Sequence, residues 1–304
     1  MDPLITNSII YSIILGLSSM ALTFTYLTTK VPNLAHGVIL IVGTYTTFTI
    51  SMVLKLNPYI SLPISFLTGG LTSLFQYYLI IYPLSKRGAN IVTQMIASLA
   101  FAIAFLGALN AYTDYINYAY LIQSRDISLA YLDPIINGTP MIFYVGIVIA
   151  IFLTIVLNVF LNRTRIGTAI RATVENSSLS EVLGINTSVV YVISWFLSGG
   201  IAGIAGSLYP LQFVFSPGTS FGILISIFAS SILGGLGSIY GGLIGGIIEG
   251  LTEKYLVTQM ANIISPAIGV DPYVINQYSG LIPLIIAALT LIFYPKGITG
   301  IKGE

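Results

Sequence analysis

Cysteine is absent from this 304-residue chain, and histidine occurs once, at His36. The first absence excludes disulfides, thiol catalysis and cysteine metal sites, and the second excludes a multi-histidine metal centre. Charge is scarce as well: Asp, Glu, Lys and Arg make up 7% of the residues, where a soluble domain carries about 25%. A net charge of +1 and the lack of any basic run argue against a nucleic-acid partner. No GxxxxGK[ST] signature occurs, so the chain has no phosphate-cradling loop with which to hydrolyse ATP. The N-terminal MDPLITNSII lacks the basic region of a cleavable signal, and the first apolar run is expected to stay in the membrane.

Apolar sequence is what the chain has in quantity. Hydrophobic residues reach 56% and mean hydropathy is +0.94. This composition predicts an all-α polytopic membrane protein, one transmembrane domain over residues 1–304, with about eight to ten spans of roughly 20 residues each. Apolar segments lie at 5–28, 33–54, 59–82, 91–111, 140–161, 188–209, 220–232, 241–257 and 278–294. With these ends, Lys30, Lys86, Arg87, Arg163, Arg165, Arg171, Lys296 and Lys302 fall on one side, which the positive-inside rule makes cytoplasmic. The N-terminus is then outside, and the Tyr-rich segment 112–139 is an extracellular loop holding Asp114, Arg125, Asp126 and Asp133. Lys55, Arg125 and Lys254 depart from the pattern.

The longest polar helical segment lies between two apolar runs, within the loop 162–187. Three arginines, Arg163, Arg165 and Arg171, would cost roughly 7–10 kcal/mol at mid-bilayer, so it belongs outside the hydrocarbon. Ile166, Ile170 and Val174 recur every four residues, and Leu179, Val182 and Leu183 follow at helical spacing. Two short amphipathic helices joined at Asn176–Ser177, with Gly184 capping the second, are expected to lie at the membrane surface and to fit a groove on a soluble partner. The bland alternative is an ordinary cytoplasmic loop.

Glycine clusters twice. Gly199, Gly203 and Gly206 share one helix face, a spacing that lets helices approach closely. Gly234 to Gly246 is denser and predicts a broken helix, with Gly234, Gly235, Gly237 and Ser238 at the break. Asn33, His36 and Gly37 place polar groups and a glycine at the start of another span, and paired breaks in two halves point to an internally repeated transporter fold. Backbone freed at such breaks has to line a cavity or be buried in protein. His36 is then either a pathway residue or a hydrogen-bonded structural histidine. Glu249 is an acid deep in an apolar run: either a functional group or a side chain that reaches water beside Glu253 and Lys254. Ser238 with His36 does not make a membrane protease, because GLGS lacks the GxSxG elbow.

The segment RIGTAIRATVENSSLSEVLGINTSVVYVISWFLSGGIAGIAGSLY resembles the cytoplasmic loop and following span of permeases of branched-chain amino acid ABC transporters. Gly167, Ala169, Arg171, Ala172, Gly184, Ile185, Asn186, Ala202, Gly203, Ala205 and Gly206 match the motif. NLAHG, GGLGSIYGGLIGG and YPKGITG resemble three further motifs of that family, in the family's order. Val38 stands where the family often has a polar residue, Lys296 follows Pro295 where a basic residue usually precedes it, and 112–139 matches nothing. The resemblance implies a plasma-membrane permease that performs no bond chemistry and pairs with a second permease, identical or homologous. It also implies two cytoplasmic ATPases that bind the ATP, an extracellular solute-binding protein and surrounding membrane lipid. Arg171, Glu175, Glu181, Leu183, Gly184, Ile185 and Asn186 would then couple to the ATPases. The rival reading is a stand-alone secondary transporter or channel for a small polar solute.

Overall fold

The computed structural model describes residues 2–269 and 271–299; Gly300 and Lys302 lie outside the described residues. Each expected apolar segment is helical. Six helices are long and apolar enough to cross a bilayer: α1 (Pro3–Thr29), α2 (His36–Val53), α3 (Pro58–Lys86), α4 (Ile91–Tyr120), α5 (Met141–Arg163) and α8 (Thr187–Leu211). Between the last two lie α6 (Arg165–Glu175) and α7 (Ser177–Val182). Helices α9 (Thr219–Gly234) and α10 (Ile239–Pro266) form one pair bent by 120°, which raises the candidate spans to seven if counted as a single crossing. Two short helices follow, α11 (Pro272–Gln277) and α12 (Leu281–Phe293). At 13 residues, α12 is about 20 Å long, less than the roughly 30 Å of a hydrocarbon core. This is an all-α polytopic membrane protein, and its only described strands are a two-residue hairpin, β1 (Ile135–Ile136) with β2 (Thr139–Pro140).

Hydropathy and burial run in opposite directions here. The most apolar of the six long helices, α5, has a mean hydropathy of 2.7 but only 28% of its best window buried; α1 has 1.6 and 94%. Lipid rewards an apolar surface, whereas a helix enclosed by protein needs small and hydroxylated residues for close approach. Helix α1 carries eight buried serine and threonine hydroxyls: Thr6, Ser8, Ser12, Ser18, Ser19, Thr23, Thr25 and Thr28. Most satisfy themselves on the preceding turn, as Ser12 Oγ does on the Ser8 carbonyl at 2.6 Å and Ser18 Oγ on that of Ile14 at 2.7 Å. Its two chief neighbours are α10 and α8.

Glycines set the contact with α10, and they set those of α8 with α3 and α2. Gly246 and Gly250 of α10 sit against the backbone of Gly16 and Ser12 in α1. In α8, Gly199 and Gly203 meet Gly69 of α3, and Gly206 meets the Leu40 carbonyl of α2. Close approach then lets side chains bond across the interface: Thr44 Oγ1 donates to the Gly206 carbonyl at 2.8 Å and Ser73 Oγ to that of Trp195 at 2.8 Å. The expected role of the 199–206 glycines is therefore realised on two partner helices at once.

Helix α4 continues to Tyr120, so part of the segment expected as extracellular loop is helix. Arg125 folds back onto this extension, donating to Thr113 Oγ1 at 3.0 Å and pairing with Asp114 at 2.7 Å. The strap after it is pinned to the segment following α8: Asp126 N–H donates to the Phe215 carbonyl and Leu129 N–H to that of Pro210. Asp133 is buried rather than wet. Its carboxylate accepts from Tyr59 OH at 2.5 Å and from the Ile142 amide, capping the start of α5 at 3.0 Å. Burial pushes that carboxyl above the usual range, although both hydrogen bonds oppose the shift.

Candidate functional site

The first break is built around Asn33. After the αL residue Lys30 closes α1, the chain runs back along the bundle until α2 starts at His36. There the His36 Nε2–H donates to the Ser18 carbonyl at 3.1 Å, near the middle of α1. The polar start of α2 is thus sunk inside the protein rather than placed at its rim. Asn33 Oδ1 accepts from the Ala35 amide at 3.0 Å, and the Asn33 side chain makes a reciprocal amide pair with Gln76, at 2.7 and 3.2 Å. The Leu34 amide is taken by Ser98 Oγ at 3.0 Å. Asn33 and His36 are 1% exposed and Gln76 is fully buried. Gly37 packs on the Ser220 carbonyl and Leu224 of α9, where a Cβ would collide. The structure thus assembles Asn33, His36 and Gly37 into one buried polar helix start. His36 is hydrogen-bonded in the manner of the structural reading.

Gln76 and Ser98 carried no signal in the sequence. Each is a lone polar residue in an apolar span, and its partner lies 43 or 64 positions away. The α-helical turn pattern also changes immediately after Gln76, where Tyr77–Ile81 forms a π-turn. Because the amide pair is buried, Asn33→Leu or Gln76→Leu alone leaves the other amide unsatisfied, at a cost of about 1–3 kcal/mol. The double replacement is expected to recover part of that loss. Thermal unfolding of the four variants in detergent checks this, and strictly additive losses would show that the pair is not coupled.

The second break is the turn Gly234–Ser238. Gly235 has φ +98°, a conformation that glycine adopts freely, and Ser238 Oγ caps α10 by accepting from the Gly241 amide at 3.1 Å. Gly234 packs on Gly241, and Gly235 faces the backbone of Lys296 and Gly297; Gly237 alone among the turn glycines is open. The turn lies level with the last turns of α1, since Gly242 meets Thr23 and Tyr26 lines a cavity with Leu236 and Gly237. The two breaks are therefore separate sites. They are linked by α9, which touches Gly37 near its start and ends in the turn.

Glu249 does not reach water. It is fully buried in α10 with no hydrogen bond to either carboxylate oxygen. Glu253, one turn on, is well supplied: Tyr11 OH at 2.9 Å, Ser226 Oγ at 2.9 Å and Lys254 Nζ at 3.1 Å. Lys254, an exception to the charge pattern, is neutralised there and also lies 4.6 Å from the Tyr11 ring centroid. The π-turn Thr252–Leu256 presents this pair. Among the described residues no group of three metal-ligating side chains forms.

The polar loop folds as two capped helices. Thr164 Oγ1 accepts from the Gly167 amide at 2.9 Å to start α6, and Asn176 Oδ1 from that of Leu179 at 3.0 Å to start α7. Gly184, at φ +85°, ends α7, with its amide on the Glu181 carbonyl and that of Ile185 on the Ser180 carbonyl. The two apolar faces have different fates. Ile170 is buried against the bundle, 1% exposed, and Gly167 packs on the end of α5, so most of the α6 face is consumed internally. The α7 face is bare: Val182 is 84% exposed, Leu183 72% and Leu179 54%. Arg171 and Glu175 are exposed, and Arg171 donates to Asn162 Oδ1 at 3.0 Å. Glu181 accepts from Thr187 Oγ1 at 2.6 Å, Asn186 caps α8, and Ile185 packs on the core. Thus Glu181, Gly184, Ile185 and Asn186 hold the pair rigid, while Leu183 with Val182 and Leu179 forms its free surface.

A family profile described as branched-chain amino acid transport system / permease component matches residues 4–292. The chain is 39% identical to the probable branched-chain amino acid transport permease protein LivH of Methanocaldococcus jannaschii, across 98% of this chain and 92% of that one. It is 26% identical to the high-affinity permease protein BraD of Pseudomonas aeruginosa, covering 88% of this chain and 85% of that one. The permease protein LivH of Escherichia coli K12 matches at the same identity and coverage.

Proposed function

Because the chain belongs to the family of permease components of branched-chain amino acid transport systems, we propose that it is the translocating subunit of an ATP-driven importer for branched-chain or related amino acids. The observation that carries this reading is the α6–α7 pair. A capped, rigid element is anchored to the bundle through Ile170 and presents Leu179, Val182 and Leu183 to solvent. A self-contained transporter has no use for such a knob, whereas a permease driven by a separate ATPase needs a part for that ATPase to grip.

In this reading the cytoplasmic ATPases bind the α7 face and the exposed Arg171 and Glu175. Their closure moves the pair as one body. A second permease completes the path, and a solute-binding protein delivers substrate at the outer strap within 112–139. The path runs by the two breaks: Asn33, His36 and Gly37 at depth, and Gly234, Gly235, Gly237 and Ser238 as its inner closure. Irregular backbone is tolerated at membrane depth where protein or a cavity covers it. Asn33 and His36 are covered here, which fits a closed state.

The test is uptake of labelled leucine into proteoliposomes containing the permease with its ATPases and binding protein. Transport that requires internal ATP and is competed by isoleucine and valine is expected. Uptake that persists without ATP would point instead to a stand-alone transporter.

A further inference from the structure

Two cavities adjoin along the groove between α9 and α12, and they share one residue, Ile232. The first has a volume of about 450 Å³ and is lined by Tyr26, Leu236, Gly237, Leu291 and Lys296. The second, about 270 Å³, is apolar and lined by Leu224, Phe228, Pro283, Leu284 and Ala287 among others. The polar cavity is at the end of the bundle that carries Lys296; the apolar one continues along the helices toward Leu34.

The polar cavity is chemically unfinished. Lys296 makes no ion pair or side-chain hydrogen bond among the described residues. The amides of Leu236 and Gly237 donate to no acceptor among the described residues. Lys296 and the two residues with unpaired amides line one space, and a cation with N–H donors suits an anion with several acceptor oxygens. Among the described residues no carboxylate lines the cavity to repel it. The neighbouring apolar cavity calls for hydrocarbon, and the two are contiguous. The charge pattern of the sequence puts Lys296 on the cytoplasmic side, the side whose leaflet carries anionic lipids.

We propose that this groove binds an anionic phospholipid of the cytoplasmic leaflet, with its phosphate headgroup on Lys296 and the amides of Leu236 and Gly237 and one acyl chain in the cavity beside Phe228 and Ala287. The lipid would brace the Gly234–Ser238 turn against α12. It is a binding site in its own right, and its occupancy does not depend on which solute the protein carries.

The test uses the transporter purified with its partner subunits and reconstituted in nanodiscs of phosphatidylglycerol or phosphatidylcholine, then released for native mass spectrometry. Wild-type protein is expected to retain phosphatidylglycerol at least tenfold over phosphatidylcholine. Lys296→Glu removes the preference, and Ala287→Trp, which fills the acyl cavity, lowers retention of both lipids. Unchanged thermal midpoints of the variants in phosphatidylcholine show that they fold. Equal retention of the two lipids by wild type, or undiminished phosphatidylglycerol on either variant, overturns the proposal. So does an Ala287→Cys variant that crosslinks two permease copies across this groove, since the groove would then be a subunit interface.

Discussion

Replacing Val182 and Leu183 together with aspartate is expected to abolish ATP-driven uptake while the permease still inserts, folds and melts as wild type. Both side chains point away from the bundle, 84% and 72% exposed, so neither contributes to the packing of the chain. Buried anchors at the centre of an interface commonly contribute about 2 kcal/mol or more each, and 2 kcal/mol is about 30-fold in affinity. Losing two anchors, and burying carboxylates in their place, leaves an ATPase little to hold. Co-purification of the ATPases and substrate-stimulated ATP hydrolysis should both disappear. Ile170→Asp is the contrast: it lies on the inner face of the same helix pair and should cost folding. Wild-type co-purification and uptake in the aspartate double variant would show that α7 is not the gripping surface.

The second large effect is expected at Gly206. A Cβ there would meet the carbonyl oxygen of Leu40, which is backbone and cannot rotate aside. Gly206→Val therefore forces α2 and α8 apart. The separation takes with it the Thr44 bond to the Gly206 carbonyl and the Thr47 bond to that of Ser207. Overpacking costs about 1–3 kcal/mol where side chains can adjust; here they cannot, and the buried Thr44 hydroxyl loses its acceptor as well. The expected outcome is no monodisperse protein by fluorescence-detected size exclusion. Gly107→Val is the control, since nothing lies within 4 Å of a Cβ there. A well-behaved Gly206→Val variant would show that the α2–α8 contact is softer than its geometry implies.

Elements whose information is local were legible in the sequence. The α6–α7 pair declares itself by arginines that the bilayer rejects, by apolar residues at helical spacing and by a glycine where the helix must stop. The glycine-rich break was legible for the same reason, and so were the helical segments themselves. What lay hidden was relational. Periodicity could not separate the α6 face, used against the bundle through Ile170, from the α7 face left bare, because both look equally apolar in one dimension. Gln76 and Ser98 gave no sign of supporting Asn33, since an isolated polar residue in a span reveals nothing about which helix will stand opposite. Crossing strength misled too. Composition counts apolar stretches, but α9 and α10 are halves of a bent pair and α12 is short, so about nine apolar segments yield six or seven candidate spans.

The burial of α1 bears on how the molecule is made. This helix is synthesised before the α10 glycines that pack on it: Gly246 lies against Gly16, 230 residues earlier. At roughly 5–20 residues per second, synthesis separates the two by about 10–50 s. Through that interval the face of α1 around Ser12 and Gly16 lacks its α10 partner, although His36 and Ser198 already reach the Ser18 and Ala21 carbonyls. The enclosure of α1 is therefore completed only when α10 is made. A chain interrupted before residue 239 leaves one face of its most buried helix without protein cover, a defect that quality-control machinery can recognise.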